Sequence, residues 1–329
     1  MFDIVALGEL LIDFTYHGRS ENGTRLFEQN PGGAPANVLC AASNLGLSTA
    51  FIGKVGKDMH GDYLRSVLEE KGVDTSGLIS AEDVFTTLAF VKLSETGERE
   101  FSFSRKPGAD TCLSAGEVKR ELANGCRIFH FGSLSLTDEP SRSATIETVK
   151  AAKKAGAIIS YDPNYRAPLW KSEKIAADTM KSVLSFADIV KISDEEVELI
   201  TGESSPEAAA AYLFQEGISC AVITLGRNGA YTAVEGSSVL IPILDQDVPV
   251  VDTTGAGDAF WGGFLYQLAE SGLRPKELGQ DQLRNFTEFA NAVASLCIQK
   301  RGGIPAMPTI SMVKEFLAKR GNDNETQRD

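Results

Sequence analysis

A chain of 329 residues with 43% hydrophobic content and ordinary glycine and proline carries enough apolar material for one large or two modest globular domains. Its formal net charge of −13 excludes broad binding to nucleic acid or to an anionic membrane, both of which need a positive field to neutralise phosphates. The five cysteines form no CxxC pair, His17, His60 and His130 show no ligand spacing, and no stretch reads as a signal peptide or a membrane span, so a reducing cytoplasm is expected without a zinc or disulfide framework.

Short apolar runs recur from the first residues: Ile4 to Gly8, Ala50 to Val55, Arg127 to Phe131, Ala157 to Tyr161, Ile189 to Ile192 and Ala221 to Leu225. Runs with no polar alternation suit strands buried on both faces of a parallel sheet. Between them lie stretches with helical spacing, at Ala36 to Leu45, His60 to Lys71, Ser141 to Ala155, Ile175 to Phe186 and Pro206 to Gln215. Repeated strand-helix-strand units predict a three-layer α/β/α sandwich around a mostly parallel central sheet. Two segments break the rhythm. Residues 14–30 are polar and turn-rich, and residues 86–108 hold Leu88, Phe90, Leu93, a Glu-Thr-Gly-Glu turn, Phe101 and Phe103, the pattern of a hairpin. Inserted strands need a packing partner, and a small β lid over a pocket supplies one. One domain over 1–320 is expected, with the tail 321–329 frayed because it lacks an apolar anchor.

Residues 252–258, Asp-Thr-Thr-Gly-Ala-Gly-Asp, precede Ala259-Phe260-Trp261 and read as a helix entered through a small-residue turn. The first N–H groups of a helix lack intrahelical partners and carry the positive end of the dipole, so such a turn can hold a phosphate. Asp258 in the first turn can take a proton from an attacking hydroxyl; the plainer reading is an acidic residue stabilised by the dipole. Gly32-Gly33-Ala34-Pro35-Ala36-Asn37 opens another helix through two glycines, with Pro where its missing N–H costs nothing. Asn37 suits a sugar hydroxyl or a buried backbone group. Glu9 and Asp13 follow the first strand near the carboxyl edge of the sheet, where α/β folds bind ligands. Asp162-Pro163-Asn164-Tyr165-Arg166 emerges at the same edge. Thr224-Leu225-Gly226-Arg227-Asn228-Gly229 reads as a hairpin turn or a nucleotide-facing loop, and Ser193-Asp194-Glu195-Glu196 is accounted for by helix capping alone. The Walker P-loop, the dinucleotide fingerprint and the protein-kinase HRD and DFG motifs are absent from the sequence.

The Gly-Gly-Ala-Pro-Ala-Asn and Asp-Thr-Thr-Gly-Ala-Gly-Asp motifs, in this order, resemble the paired signatures of the ribokinase-like (PfkB) carbohydrate kinases, and the resemblance spans nearly the whole chain. The GGAPAN form with DPNYRxPLW is most similar to the fructokinases. The resemblance implies a ribokinase-like sandwich and ATP-dependent phosphoryl transfer to a primary sugar hydroxyl, giving fructose 6-phosphate. Asp258 would be the base, with the amides of Gly255, Ala256 and Gly257 as the anion hole. Asp13, Gly32, Gly33, Asn37, Asp162, Asn164 and Arg166, with Arg105 from the lid, would hold the sugar. Lys191, Ser193, Glu196, Thr224, Gly226, Gly229 and Asn291 would line the nucleotide site. Glu196, in a motif where Ser193 replaces the family's asparagine, would serve Mg²⁺ directly or through water. A K⁺ ion beside the anion hole would map to Asp252, Thr254 and the loop from Cys297 to Ala306, including Lys300 and Gly302. The resemblance and the inserted strands also imply a homodimer through the lid. Alternatives are a kinase for 2-keto-3-deoxygluconate, for aminoimidazole riboside or for a ribonucleoside, and, in another class, a non-catalytic sensor.

Overall fold

The computed structural model describes residues 1–93, 99–244 and 248–326. Its strands are β1 (Phe2–Leu7), β2 (Leu11–Arg19), β3 (Arg25–Gly32), β4 (Thr49–Gly56), β5 (Val73–Ala81), β6 (Leu88–Leu93), β7 (Arg99–Ser104), β8 (Cys126–Gly132), β9 (Ile158–Asp162), β10 (Ile189–Ser193), β11 (Cys220–Thr224), β12 (Ala230–Val234) and β13 (Ser237–Ile241). Nine of them form one sheet in the order β13-β12-β11-β10-β9-β8-β1-β4-β5. Pairing is parallel from β11 through to β5, and β12 and β13 add an antiparallel hairpin at one edge. Edge strand β5 falls outside the apolar runs read from the sequence because its burial alternates with polar positions.

Adjacent residues of β1 point to opposite faces, and both faces are covered. Ile4 and Ala6 pack with Val38, Leu39, Trp261 and Phe264 on one side, while Val5 and Leu7 pack with Phe129, Phe131, Ala144 and Val149 on the other. Burial of apolar side chains on both faces yields roughly 1.5–3 kcal/mol for each large one, which is why the strands read as unbroken hydrophobic runs. The remaining strands form a separate sheet, β3-β2-β6-β7, in which two antiparallel hairpins are joined by the parallel pair β2·β6. This is the expected lid. Its first hairpin begins at Leu11, three residues before the polar stretch from which it was inferred, and the turn of its second hairpin lies outside the described residues.

Two helices set the geometry of the site. Helix Ala34–Leu45 stops at Gly46, whose left-handed backbone sends its N–H to Ala42 and Ser43 carbonyls. Helix Ala256–Ser271 carries Gly262 and Gly263 in its interior, where glycine normally costs about 0.5–1 kcal/mol. Close packing explains them. A Cβ on Gly262 would stand 2.6 Å from Ala41 Cβ, and one on Gly263 would stand 2.9 Å from Val293 Cγ2 in helix Gln280–Cys297. The last helix runs from Ile310 to Thr326, so the tail expected to fray from Gly321 falls on its final turns, whose side chains lie, with residues 327–329, outside the described residues.

Candidate active site

A cavity of about 640 Å³ opens at the carboxyl edge of the large sheet, between it and the lid. The start of the Asp258 helix forms part of its wall. Gly255 is the N-cap in the left-handed region (φ 78°), and a Cβ there would stand 2.9 Å from Gly303 Cα, so both backbone sign and space require glycine. Gly255, Gly257 and Asp258 line the cavity. Ala256 does not, and its N–H turns back to the Thr253 carbonyl at 3.3 Å. Of the three amides expected to form an anion hole, that of Ala256 has a partner within the turn, while Gly255 and Gly257 are wall residues. Asp252 shapes the approach. Its Oδ1 accepts the N–H and hydroxyl of Thr254, and its Oδ2 accepts the Gly302 N–H at 3.0 Å, tying this turn to the loop after Cys297.

Asp258 is buried, and Asn37 Nδ2 donates to its Oδ2 at 2.7 Å. Asn37 and Asp258 lie one turn before the Ala41 and Gly262 contact on the same two helices, so the helices run side by side in the same direction with both N-termini at the cavity. Burial, then the negative charge of Asp162, raises the Asp258 carboxyl above its ordinary range; Lys191, Asn37 and Arg166 offset part of that shift. A buried carboxylate with one aimed donor has the chemistry to take a proton from a hydroxyl once it is ionised.

Helix Ala34–Leu45 has Gly33 as N-cap (φ 118°), which offers no side chain to the first N–H groups. Glu9 supplies the cap from 25 residues away, its Oε1 accepting the Ala34 N–H at 2.8 Å. Gly33 allows the approach, since a Cβ there would lie 2.3 Å from the Glu9 carbonyl oxygen. Glu9 is 2% exposed, and burial pushes its carboxyl up to about 7. Gly32 does not reach the cavity wall; its missing Cβ makes room for Asp13 Oδ2, which an added Cβ would meet at 2.3 Å.

Lys191, in the middle of β10, lies under the turn at residues 255–257, with its Nζ 3.4 Å from where a Gly257 Cβ would be. It pairs with Asp162 Oδ2 at 2.6 Å, both side chains buried. Burial presses the ammonium towards neutrality, but the carboxylates of Asp162, Glu196 and Asp258 outweigh it and hold the charge. Lys191 lines the cavity and Asp162 does not, so Asp162 acts on the wall residue and is not itself placed against a sugar. Glu196 Oε1 accepts the Tyr165 N–H at 2.6 Å, and its Oε2 accepts the Ser193 N–H and hydroxyl at 2.8 and 2.9 Å. Both oxygens are thus engaged by protein donors. Direct metal ligation is disfavoured, and the remaining lone pairs suit hydrogen bonds from metal-bound water.

The inner face of the lid follows strand alternation. Leu11, Asp13 and Thr15 of β2, Glu28 and Asn30 of β3, Val91 of β6 and Phe103 of β7 line the cavity, with Asp13 opposite Asn30 and Thr15 opposite Glu28 in the hairpin register. Arg301 reaches from the loop beside the anion-binding turn to Glu28 at 3.1 Å and to His17 Nδ1 at 2.9 Å. Glu9, Glu28, Asn30 and Arg301 were not identified as site residues from the sequence. The period-two pattern of the hairpin would have exposed the lid residues.

Several expected residues are not on the wall. Arg105 is buried behind it, bound to Asp110 Oδ2 at 2.6 Å, to Thr137 and to the Leu134 carbonyl, because a guanidinium at that depth needs a full set of acceptors. Gly226 and Gly229 form the β11–β12 turn; a Cβ on Gly229 would lie 2.0 Å from the Ile241 carbonyl oxygen, so sheet packing demands that glycine. Asn291 donates to the Ile241 and Pro242 carbonyls at 3.3 and 3.1 Å, joining a helix to the sheet edge. Cys297, Lys300 and Ala306 do not line the cavity; Cys297 Sγ lies 3.9 Å from the Thr254 carbonyl, and Lys300 is exposed. Asn164 (φ 47°), Arg166, Ser193, Thr224, Thr254 and Gly302 do line the cavity.

The family model for the pfkB family carbohydrate kinases matches residues 1–310. Fructokinase-2 of Oryza sativa subsp. japonica is 41% identical over 322 residues, covering 97% of this chain and 95% of that protein. The solved structure of fructokinase with bound ATP from Xylella fastidiosa has a TM-score of 0.89 at 33% identity, covering 97% of this chain and 99% of its own. A fructokinase double mutant from Vibrio cholerae O395, with fructose, ADP and a potassium ion bound, has a TM-score of 0.85 at 31% identity over 96% of this chain and 98% of its own. This chain belongs to the pfkB family of carbohydrate kinases.

Proposed function

We propose that the protein is an ATP-dependent fructokinase that transfers the γ-phosphoryl group to the 6-hydroxyl of fructose. One observation carries the chemistry: a buried carboxylate, Asp258, sits on the cavity wall in the first turn of a Gly255-capped helix with Asn37 aimed at it. The hydroxyl oxygen forms the new bond to phosphorus as the bond to the departing ADP oxygen breaks, and Asp258 takes the hydroxyl proton. The helix N-terminus and the Lys191 ammonium meet the charge on the transferring group. Mg²⁺, when bound to ATP, neutralises phosphate charge, and Glu196 is suited to accept hydrogen bonds from its waters. The lid residues Asp13 and Asn30 supply the polar end for a sugar; Ser193, Thr224, Val250 and Val251 line the other end, as a nucleotide requires. Arg105 is engaged by Asp110 and Arg301 by Glu28, which leaves Arg166 as the wall arginine for a carboxylate and weighs against a sugar-acid acceptor.

A K⁺ ion belongs to the same proposal. Asp252 and the carbonyls of two loops tied through Gly302 are hard oxygen donors of the kind that such a cation takes. The cytoplasm is the proposed compartment, in keeping with five unpaired cysteines. The test is a panel of fructose, 2-keto-3-deoxygluconate, aminoimidazole riboside and ribonucleosides with coupled detection of ADP. Fructose is expected to give the highest kcat/KM; preference for the sugar acid would overturn the assignment. Asp258→Ala is expected to lower kcat by at least roughly 10²-fold while fructose binding, measured calorimetrically, survives.

A further inference from the structure

Two buried acceptors flank the start of helix Ala34–Leu45 on the cavity wall, and neither has a hydrogen-bond partner among the described residues: Glu9 Oε2 and Asn37 Oδ1. Each side chain spends its other polar atom on the protein, Glu9 Oε1 on the Ala34 N–H and Asn37 Nδ2 on Asp258. An unpaired buried acceptor costs roughly 1–3 kcal/mol, so two of them on neighbouring wall residues are a defect in an isolated fold and an asset in a site for a donor-rich ligand. The nearest cation that could answer Glu9, Arg105, is already bound to Asp110, Thr137 and the Leu134 carbonyl. A divalent metal is disfavoured too, since among the described residues no three His, Cys, Asp or Glu side chains gather as a metal site. A neutral hydroxyl fits best: it donates to the carboxylate and can accept from the carboxyl when that is protonated.

We propose that Glu9 is a sugar-binding residue whose Oε2 accepts a hydrogen bond from one of the non-reacting hydroxyls of the acceptor, and that it sets specificity for that hydroxyl. The proposal rests on the fructokinase reading of the cavity. Its anchoring is built in: Oε1 is pinned to the start of the helix whose Asn37 is bonded to Asp258. Fructose lacking the matching hydroxyl leaves Oε2 unpaired, a loss of roughly 10- to 100-fold in kcat/KM.

The test measures kcat and KM at saturating ATP for fructose and for 1-, 3- and 4-deoxyfructose, with wild type, Glu9→Met and Glu9→Gln. In wild type, one analogue is expected to suffer that penalty. In Glu9→Met, fructose itself becomes poorer and the extra penalty of the same analogue falls to within roughly twofold, the scatter of independent sites. Glu9→Gln retains a carbonyl for the Ala34 N–H and serves if the methionine variant does not fold; its penalty for that analogue is expected to shrink by more than roughly twofold. Parallel losses on fructose and on all three analogues, with wild-type ratios between them, would show that Glu9 is a helix cap only. Absence of fructose turnover in wild type would instead sink the fructokinase reading, so the two failures are distinct.

Discussion

Asp258 has to ionise in a place that resists ionisation. Desolvation and the nearby Asp162 push its carboxyl up, and a single aimed donor, Asn37, is among the groups that pull it back. The base is active only when ionised, so kcat/KM falls as pH drops through its pKa, and the acid limb of the profile is expected above the range of an ordinary aspartate. Asn37→Ala removes a donor that favours the charged form, which raises the pKa further. The sign is therefore fixed: the acid limb of the variant moves to higher pH, and its deficit against wild type narrows as pH rises. A pH profile of kcat/KM for fructose checks it; an unmoved limb with a uniform loss would make Asn37 a spacer and not a tuner of the base.

The same logic at the scale of elements rests on the contact between the Asn37 and Asp258 helices. A methyl on Gly262 would stand 2.6 Å from Ala41 Cβ and 2.9 Å from the Val38 carbonyl. Gly262→Ala gains about 0.5–1 kcal/mol of helix propensity and loses about 1–3 kcal/mol by overpacking, so the clash wins. Chemical denaturation is expected to show a net destabilisation of about 0.5–2 kcal/mol. Because one turn away the same two helices hold the Asn37–Asp258 bond, kcat should fall as well, and adding Ala41→Gly should recover part of both losses. Much of this scale was legible beforehand: strands buried on both faces and the two glycine-led helices read directly from apolar runs and turn residues. The consumption of side chains was not. Glu196, Arg105 and Asn291 carry the right chemistry for a ligand, but their partners are Tyr165 and Ser193, Asp110, and two sheet-edge carbonyls. A sequence shows what a residue offers, and only packing shows what has already taken the offer. Glu9 is the converse, an acid noted only for its place after the first strand, which packing leaves half satisfied.

For the whole molecule, the lid is the feature to explain. Its inner face mixes Asp13, Thr15, Glu28 and Asn30 with Leu11, Val91 and Phe103, while Phe14 and Phe90 stack at 5.2 Å beside Phe27 and Tyr16, with Tyr16, Phe27 and Phe90 each 38–40% exposed. The rings of Phe14, Phe27 and Phe90 lie off the cavity wall; such a cluster suits a second copy of the chain, and we propose a homodimer through this face. Sedimentation is expected to show a dimer for wild type and a monomer for Phe27→Asp; a wild-type monomer at micromolar concentration would refute the arrangement. Charge acts at the same scale. A body at −13 repels ATP at a distance, and helix N-termini at Ala34, Asp194 and Ala256 confine the attraction to the cavity mouth.

The chain crosses between body and lid at Gly8–Leu10, at Gly33, between β5 and β6 and after β7. The first two of these joints are buried and only one to three residues long. Mechanically the lid is a plate clamped at several points along one edge and not a door on a single pin. A plate so held would flex by shallow twisting, its stiffness set where Glu9 and Gly33 touch, so the joint that carries the proposed sugar-binding groups would also limit how far the cover can lift to let a product leave.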